Sequence, residues 1–391
     1  MIFRNARILA RGLEQFGDVA VEDGRITAME PPGVLCGAGV DVQGLYLSHG
    51  FIDIHVHGGG GFDFMDGTVE AWHGASALHL RHGTTAMVPT TLAAGREELL
   101  AAFAAGRACG GGFPDGARLL GVHIEGPYLA PEQCGAQDPA HIREPDPAEV
   151  EELYQACPRL LRWTIAPERP GAYALGDWLS ARGVVPCIGH SSADEGQVRW
   201  AILHGYRHVT HLYSATSTIV RRGGFRHAGI VESAYLLDGL SSEVIADGCH
   251  LPASLLELAY RQIGPRRLCL VTDAMRAAGQ TEGESVLGSL ERGQRVILED
   301  GVAKLPDRSA FAGSICTADR LVANMVGLAG ASMARAVEMI TETPARILGL
   351  DAETGLLAPG RRADLVLFDD RVNIQMVMVD GAVRWSAGGY Q

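Results

Sequence analysis

Along the middle of the chain, short apolar runs alternate with longer segments in which apolar positions recur every three or four residues. The runs at 51–54, 85–89, 119–124, 163–166, 185–188, 208–211, 244–246 and 268–271 read as buried strands. Helical patterns lie between most of them, including 71–81, 148–155, 195–204 and 252–262. Strands and helices in this alternation predict an α/β fold, a (β/α)8 barrel of the TIM type. A doubly wound open sheet is the competing architecture, but no GxGxxG follows a strand as a dinucleotide site would require. The two ends have a different pattern. Ile8-Leu9-Ala10, Val19-Ala20-Val21 and Ile26-Thr27-Ala28-Met29 are separated by turns such as Glu22-Asp23-Gly24. Near the other end, 363–368 and 377–379 precede the hairpin signal Asp380-Gly381. These ends are expected to meet as one small β-sandwich, with residues 1–48 and 346–391 flanking a barrel over 49–345.

Polar residues fall where a barrel would put its chemistry, at the C-terminal ends of the strands. The first strand ends Asp53-Ile54-His55-Val56-His57. Residues two apart share a face, so His55 and His57 can grip one metal. An HxH of this kind also occurs on ordinary strands. Glu125 ends another apolar strand, and burial there requires either an ion pair or a cation. His190, His211 and Asp273 follow later strands. Each alone has a bland explanation, such as a hydrogen-bonded core histidine or a helix-capping aspartate. Together they repeat at the same end of five strands, and imidazoles with a carboxylate match zinc or a similar divalent transition metal (iron, cobalt, manganese, nickel). A carboxylate such as Asp273, beside a water acidified by a cation, can take its proton and pass it to a leaving amine. His250, after the seventh strand, is either a surface histidine or a group that faces a developing oxyanion.

Composition narrows the partners. Acidic residues number 46 against 33 basic, a formal charge of −13, which argues against a nucleic-acid surface. The cysteines are scattered without CxxC spacing, as expected of reduced thiols in the cytoplasm. Neither a signal peptide nor an apolar stretch of membrane-spanning length is evident.

The segment Gly50-Phe51-Ile52-Asp53-Ile54-His55-Val56-His57-Gly58 resembles the opening strand of the amidohydrolase superfamily. More narrowly, His123-Ile124-Glu125-Gly126-Pro127-Tyr128, Gly189-His190-Ser191, Thr210-His211-Leu212-Tyr213, Ala246-Asp247-Gly248-Cys249-His250 and Val271-Thr272-Asp273-Ala274 are similar to motifs of N-acetylglucosamine-6-phosphate deacetylases. That resemblance implies hydrolysis of an N-acetylated amino sugar by a homodimer, with Glu125, His190 and His211 as principal metal ligands. It makes Asp273 the general base and acid, and it places His250 at the substrate carbonyl. His55 and His57, which some members lack, imply one or two ions, with Glu125 as the bridge. The substrate-binding positions carried over are Gln137, Ser214, Ala215, Arg222, Arg226 and His250. At Gln137 many members have histidine, and asparagine is common after the Thr-His-Leu-Tyr element, where Ser214 and Ala215 stand here. Arg222 and Arg226 compete as the reader of the phosphate, often supplied by the neighbouring subunit. Other amidohydrolases, acting on cyclic amides or N-acyl amino acids, are the alternative. Against dihydroorotase-like enzymes, the fourth strand runs into Pro167-Glu168 with no lysine. A catalytically silent scaffold on the same fold would be expected to have lost some of these groups.

Overall fold

The computed structural model describes residues 1–388. Its parallel strands follow the expected order. Phe51–Val56 pairs with Thr84–Pro89, which pairs with Arg118–Leu119. A second parallel sheet runs Val122–Glu125, Leu160–Ile165, Val185–Ile188, His208–Val209, Ser241–Val244 and Leu268–Leu270. Single parallel bridges connect the two sheets, Thr90 just past the central strand of the first to His123, and Val56 of its edge strand to Ala274. Every residue of Phe51–Val56, Thr84–Pro89 and Leu160–Ile165 is buried, as in parallel strands covered on both faces.

The intervening helices begin where the sequence offers caps. Asp146 accepts from the backbone of Ala148 and Glu149 to start Pro147–Ala156. Asp194 and Gln197 cap each other reciprocally at the start of Glu195–Leu203. Val69–Arg81 and Ala253–Ile263 lie where periodicity predicts them. No helix of the described residues is long and apolar enough to cross a membrane.

Both termini contribute to one sheet. Its order is Ala382–Ser386, Ile374–Val379, Leu365–Phe368, Tyr46–His49, Ile2–Ala10, Leu13–Glu22 and Arg25–Glu30, with Val40–Asp41 beside Ile2–Ala10. Its own core includes Phe3, Ile8, Val19, Ile26, Leu47, Leu365, Leu367 and Met376. The far strand returns to the C-terminal segment through a bridge between Arg25 and Arg362.

One element lay outside the sequence expectation. Gly283–Leu287, Gln294–Glu299 and Val302–Lys304 form a separate antiparallel sheet beyond the last parallel strand. Leu287, Val296 and Leu298 pack with Met275 and Ala312, holding this sheet over the mouth of the parallel sheets.

Candidate active site

Five donor residues converge at the C-terminal ends of the strands. His55 and His57 arrive from Phe51–Val56 and the residue after it, and Glu125 ends Val122–Glu125. His190 and His211 each stand two residues past a strand, at φ 46° and 27°. Asp273, three residues past Leu268–Leu270, has φ 47°. Glu125 Oε1 lies 3.2 Å from His190 Nε2 and 3.0 Å from His211 Nε2, and those two nitrogens are 3.1 Å apart. On the other side, His55 Nε2 and His57 Nε2 are 3.3 Å apart and each lies 3.4 Å from a Glu125 oxygen. Glu125 therefore belongs to two donor groups, His55–His57–Glu125 and Glu125–His190–His211. Asp273 Oδ1 is 3.1 Å from His57 Nε2 and 3.4 Å from His55 Nε2.

The proton positions show what such a cluster requires. A carbonyl oxygen can only accept a hydrogen bond. His57 Nδ1 reaches Thr90 O at 3.3 Å, His190 Nδ1 reaches Gln133 O at 2.8 Å, and His211 Nδ1 reaches Ser214 O at 3.1 Å. His55 Nδ1 donates to the Glu243 carboxylate at 2.6 Å. Each Nδ1 therefore carries a ring proton, so the four Nε2 atoms, which point inward at one another and at Glu125, are the ones that meet a cation or take a second proton. Without a positive charge among them this arrangement is repulsive. Tetrahedral zinc–nitrogen bonds of about 2.0–2.1 Å imply ligand separations of about 3.3 Å, close to those observed. The donor set fits a divalent cation.

The charges agree. Burial alone would push Glu125 up, but His55 and His190 hold it well below the usual carboxylate range. Burial likewise opposes charge on His57, yet Asp273 and Glu125 carry it up to about 9. Asp273 is also buried, and His55 and His57 keep it ionised, below its ordinary value.

The sequence profile of the amidohydrolase family matches residues 46–384. The chain belongs to the amidohydrolase family. It is 34% identical to an N-acetylglucosamine-6-phosphate deacetylase of Lysinibacillus sphaericus, an alignment covering 98% of this chain and 97% of that one. It is also 34% identical to an N-acetylgalactosamine-6-phosphate deacetylase of Escherichia coli O157:H7, covering 92% and 93%. Among solved structures it resembles an N-acetyl-D-glucosamine-6-phosphate deacetylase of Mycobacterium smegmatis in complex with N-acetyl-D-glucosamine-6-phosphate. The TM-score is 0.89 at 32% identity, with 99% of both chains covered. Amidohydrolases are metal-dependent, as the donor groups here require.

In this amidohydrolase a cavity of about 280 Å³ opens above the donors, lined by His57, Glu125, His190, His211 and Asp273. Gln137, Ser214, Ala215 and His250 line it too. Gln137 accepts from Ala93 N–H at 2.8 Å and donates to Glu125 Oε2 at 2.6 Å, so it also aims the central carboxylate. Asp247 receives His250 Nδ1–H at 2.7 Å, leaving Nε2 as the ring nitrogen available to the cavity. Arg222 and Arg226 are not brought to this cavity within the chain. They ride an exposed hairpin, Val220–Arg222 paired with Phe225–His227, where Arg222 lies 3.5 Å from Asp194. Among the described residues, no arginine or lysine lines the cavity.

Several contributors were missed in the sequence. Leu287, Ala310, Phe311 and Gly313 form part of the wall, three of them beyond the extra sheet. Glu243 and Arg162 are wholly buried beneath the donors. His123 is fixed between Thr90 and Thr164, at 3.2 and 2.7 Å, and burial holds it well below its ordinary value, hence neutral.

Proposed function

We propose that this chain hydrolyses the acetamide of N-acetylglucosamine 6-phosphate, releasing acetate and glucosamine 6-phosphate. The observation that carries this reading is the meeting of five metal-type donors with an ionised Asp273 at the floor of one cavity, four of the five lining it, on a chain whose relatives are named for that reaction. Glu125, His190 and His211 would hold one ion, and His55, His57 and Glu125 a second. Zinc is the metal the donor set favours, with iron, cobalt, manganese and nickel as competitors. A divalent cation supplies Lewis acidity there, making water nucleophilic near neutral pH and polarising an acyl oxygen.

The chain's own groups perform the rest. Asp273 lies beside His55 and His57 at the mouth, so it takes the proton of the attacking water and returns it to the departing sugar amine. His250, oriented by Asp247, faces the acyl oxygen as negative charge develops. Gln137, Ser214 and Ala215 shape the sugar's surroundings. The cavity is acidic and lacks a guanidinium, so a 6-phosphate needs a cation from elsewhere. Arg222 or Arg226 of a second copy would supply it in a homodimer. The exposed apolar tip of their hairpin, with Phe225 77% exposed, supports that placement.

The same reading takes the two bridged parallel sheets as one closed (β/α)8 barrel over about 49–345, and the terminal sheet, curled over its core, as a small sandwich. A cytoplasmic location suits the free cysteines. The galactosamine epimer is the second reading, because a relative named for it is equally identical. Acetate release from N-acetylglucosamine and N-acetylgalactosamine, each with and without 6-phosphate, tests both alongside metal analysis. Fastest turnover on N-acetylglucosamine 6-phosphate is expected. No acetate from any of the four would refute the proposal.

A further inference from the structure

The polar layer beneath the donor atoms holds more charge than the proposed reaction uses. Glu243 is fully buried. Its Oε1 accepts from His55 Nδ1 at 2.6 Å and from the His211 backbone N–H at 3.1 Å. Its Oε2 accepts from Arg162 Nη1 at 2.7 Å and lies 3.1 Å from His208 Nε2. Arg162, equally buried, reaches Ile54 O at 3.1 Å and Thr210 Oγ1 at 3.3 Å, while its Nε has no partner among the described residues. A buried ion pair is a poor source of stability, because desolvating both charges offsets their attraction. The pair's reach is directed instead at ligand-bearing segments: the His55 ring, the residue before it, the His211 amide and the residue before that.

The four imidazoles differ in what holds them. His57, His190 and His211 give their Nδ1–H to main-chain carbonyls, which come with the fold. His55 alone gives it to a carboxylate, and at the shortest distance of the four. A charged acceptor makes the stronger, more directional bond, and such outer partners fix both the tautomer and the aim of a ligating ring.

We propose that Glu243, anchored by Arg162, is the positioning residue that makes His55 a ligand and so decides whether this chain retains a second ion beside the one at Glu125, His190 and His211. This inference rests on the two-ion reading above. His55 contributes to only one of the two donor groups, and the His211 main-chain N–H can still be accepted by a glutamine oxygen, so the effect of Glu243→Gln should be selective.

The test is zinc binding by the full-length chain, stripped and reloaded, read as stoichiometry and site affinity rather than turnover. The unsubstituted protein is expected to bind two ions. Glu243→Gln should weaken only the weaker site, by roughly 10- to 100-fold. His55→Gln should do the same, and adding Glu243→Gln to it should cost nothing further. Glu243→Gln combined with Arg162→Met removes the stranded guanidinium and is expected to match the single variant, separating positioning from a folding defect. If these variants fail to fold, long-range 1H–15N NMR of the loaded, unsubstituted protein should show the His55 proton on Nδ1. Two ions of unchanged affinity in Glu243→Gln, equal weakening of both sites, or a His55 proton on Nε2 would overturn the positioning role while leaving the two-ion reading intact. A single ion in the unsubstituted protein would instead overturn the two-ion reading, and the inference with it.

Discussion

Replacing Asp273 by asparagine removes a charge while preserving almost every contact of the residue. Its backbone stands at φ 47°, a conformation asparagine tolerates better than most residues. It is held there by main-chain bonds, Asp273 N–H to His55 O at 2.9 Å and Ser314 N–H to Asp273 O at 2.7 Å, which the substitution leaves untouched. Neither donor group contains Asp273, so metal content should stay close to that of the unsubstituted enzyme. What is lost is, among the described residues, the only carboxylate lining the cavity outside those groups, and with it proton transfer both into and out of the amide. One such group contributes roughly 10²–10⁴ in rate. Because Asp273 serves twice, the upper part of that range is expected, a kcat loss of about 10³–10⁴. At 1.36 kcal/mol per decade this is about 4–5.5 kcal/mol of lost barrier reduction. The assay is acetate release at saturating N-acetylglucosamine 6-phosphate, with metal content measured on the same preparation. KM should move little, since the residue acts on the reacting atoms more than on the bound sugar. A variant with full metal content and kcat within tenfold of the unsubstituted enzyme would refute the proton-transfer role.

Arg222→Ala should raise KM for N-acetylglucosamine 6-phosphate while leaving the unphosphorylated sugar unaffected; equal effects on both would exclude a phosphate contact there. Asp364 is buried and takes a paired bond from Arg118 at 2.7 and 3.2 Å, tying Arg118–Leu119 to the terminal sheet. Asp364→Asn should cost roughly 3–5 kcal/mol in urea unfolding at neutral pH. Burial would raise the Asp364 pKa, but Arg118 holds it below the ordinary value, so its stabilisation is fully present above the unfolded pKa and lost as pH falls through the lower folded one. The gap between the two proteins should therefore narrow only below about pH 4, and a gap that does not change with pH would deny the ion pair. Chelation should abolish turnover reversibly and lower Tm, an ion at a thousandfold excess over its Kd being worth about 4 kcal/mol; full activity in verified metal-free protein would sever the cation from the reaction.

The candidate donors are legible because each strand announces itself as an apolar run and then breaks that run with a group too polar to bury unaided. The same rule applies to Glu243 and Arg162, and both were overlooked for one reason. The apolar runs of their strands start only at 244 and 163. The strands in fact begin at Ser241 and Leu160. A charged residue inside a strand's first turn of alternation looks like the loop before it, unless the strand is extended to its hydrogen-bonded limit. The extra sheet was illegible for a different cause. Gly283–Leu287 is short and half-exposed, giving no continuous run, and Asp300-Gly301 marks only the turn between Gln294–Glu299 and Val302–Lys304. Arg222 and Arg226, proposed above to read a phosphate, lie on the surface of the chain's own fold, so no pattern within one chain places them at the cavity.

What the sequence pattern does foretell, strands that stop at their ligands, has a backbone cost. His190, His211 and Asp273 all occupy the left-handed region, where a side chain costs roughly 1–2 kcal/mol relative to the right-handed one. Glycine would remove that cost, yet none of the three positions holds it. Each residue is held by bonds that replace the sheet ladder it has left: Ala130 N–H to His190 O at 2.9 Å, Leu212 N–H to Glu243 O at 2.8 Å beside His211, and the His55 and Ser314 bonds at Asp273. A residue continuing the strand would keep the alternation of faces and send every second side chain away from the mouth. A left-handed step breaks that alternation where the strand ends, so the next side chain is free to turn inward over the opening. Local preference and site geometry conflict at these three places and the site prevails, which is where a fold under selection for chemistry rather than stability is expected to show its strain.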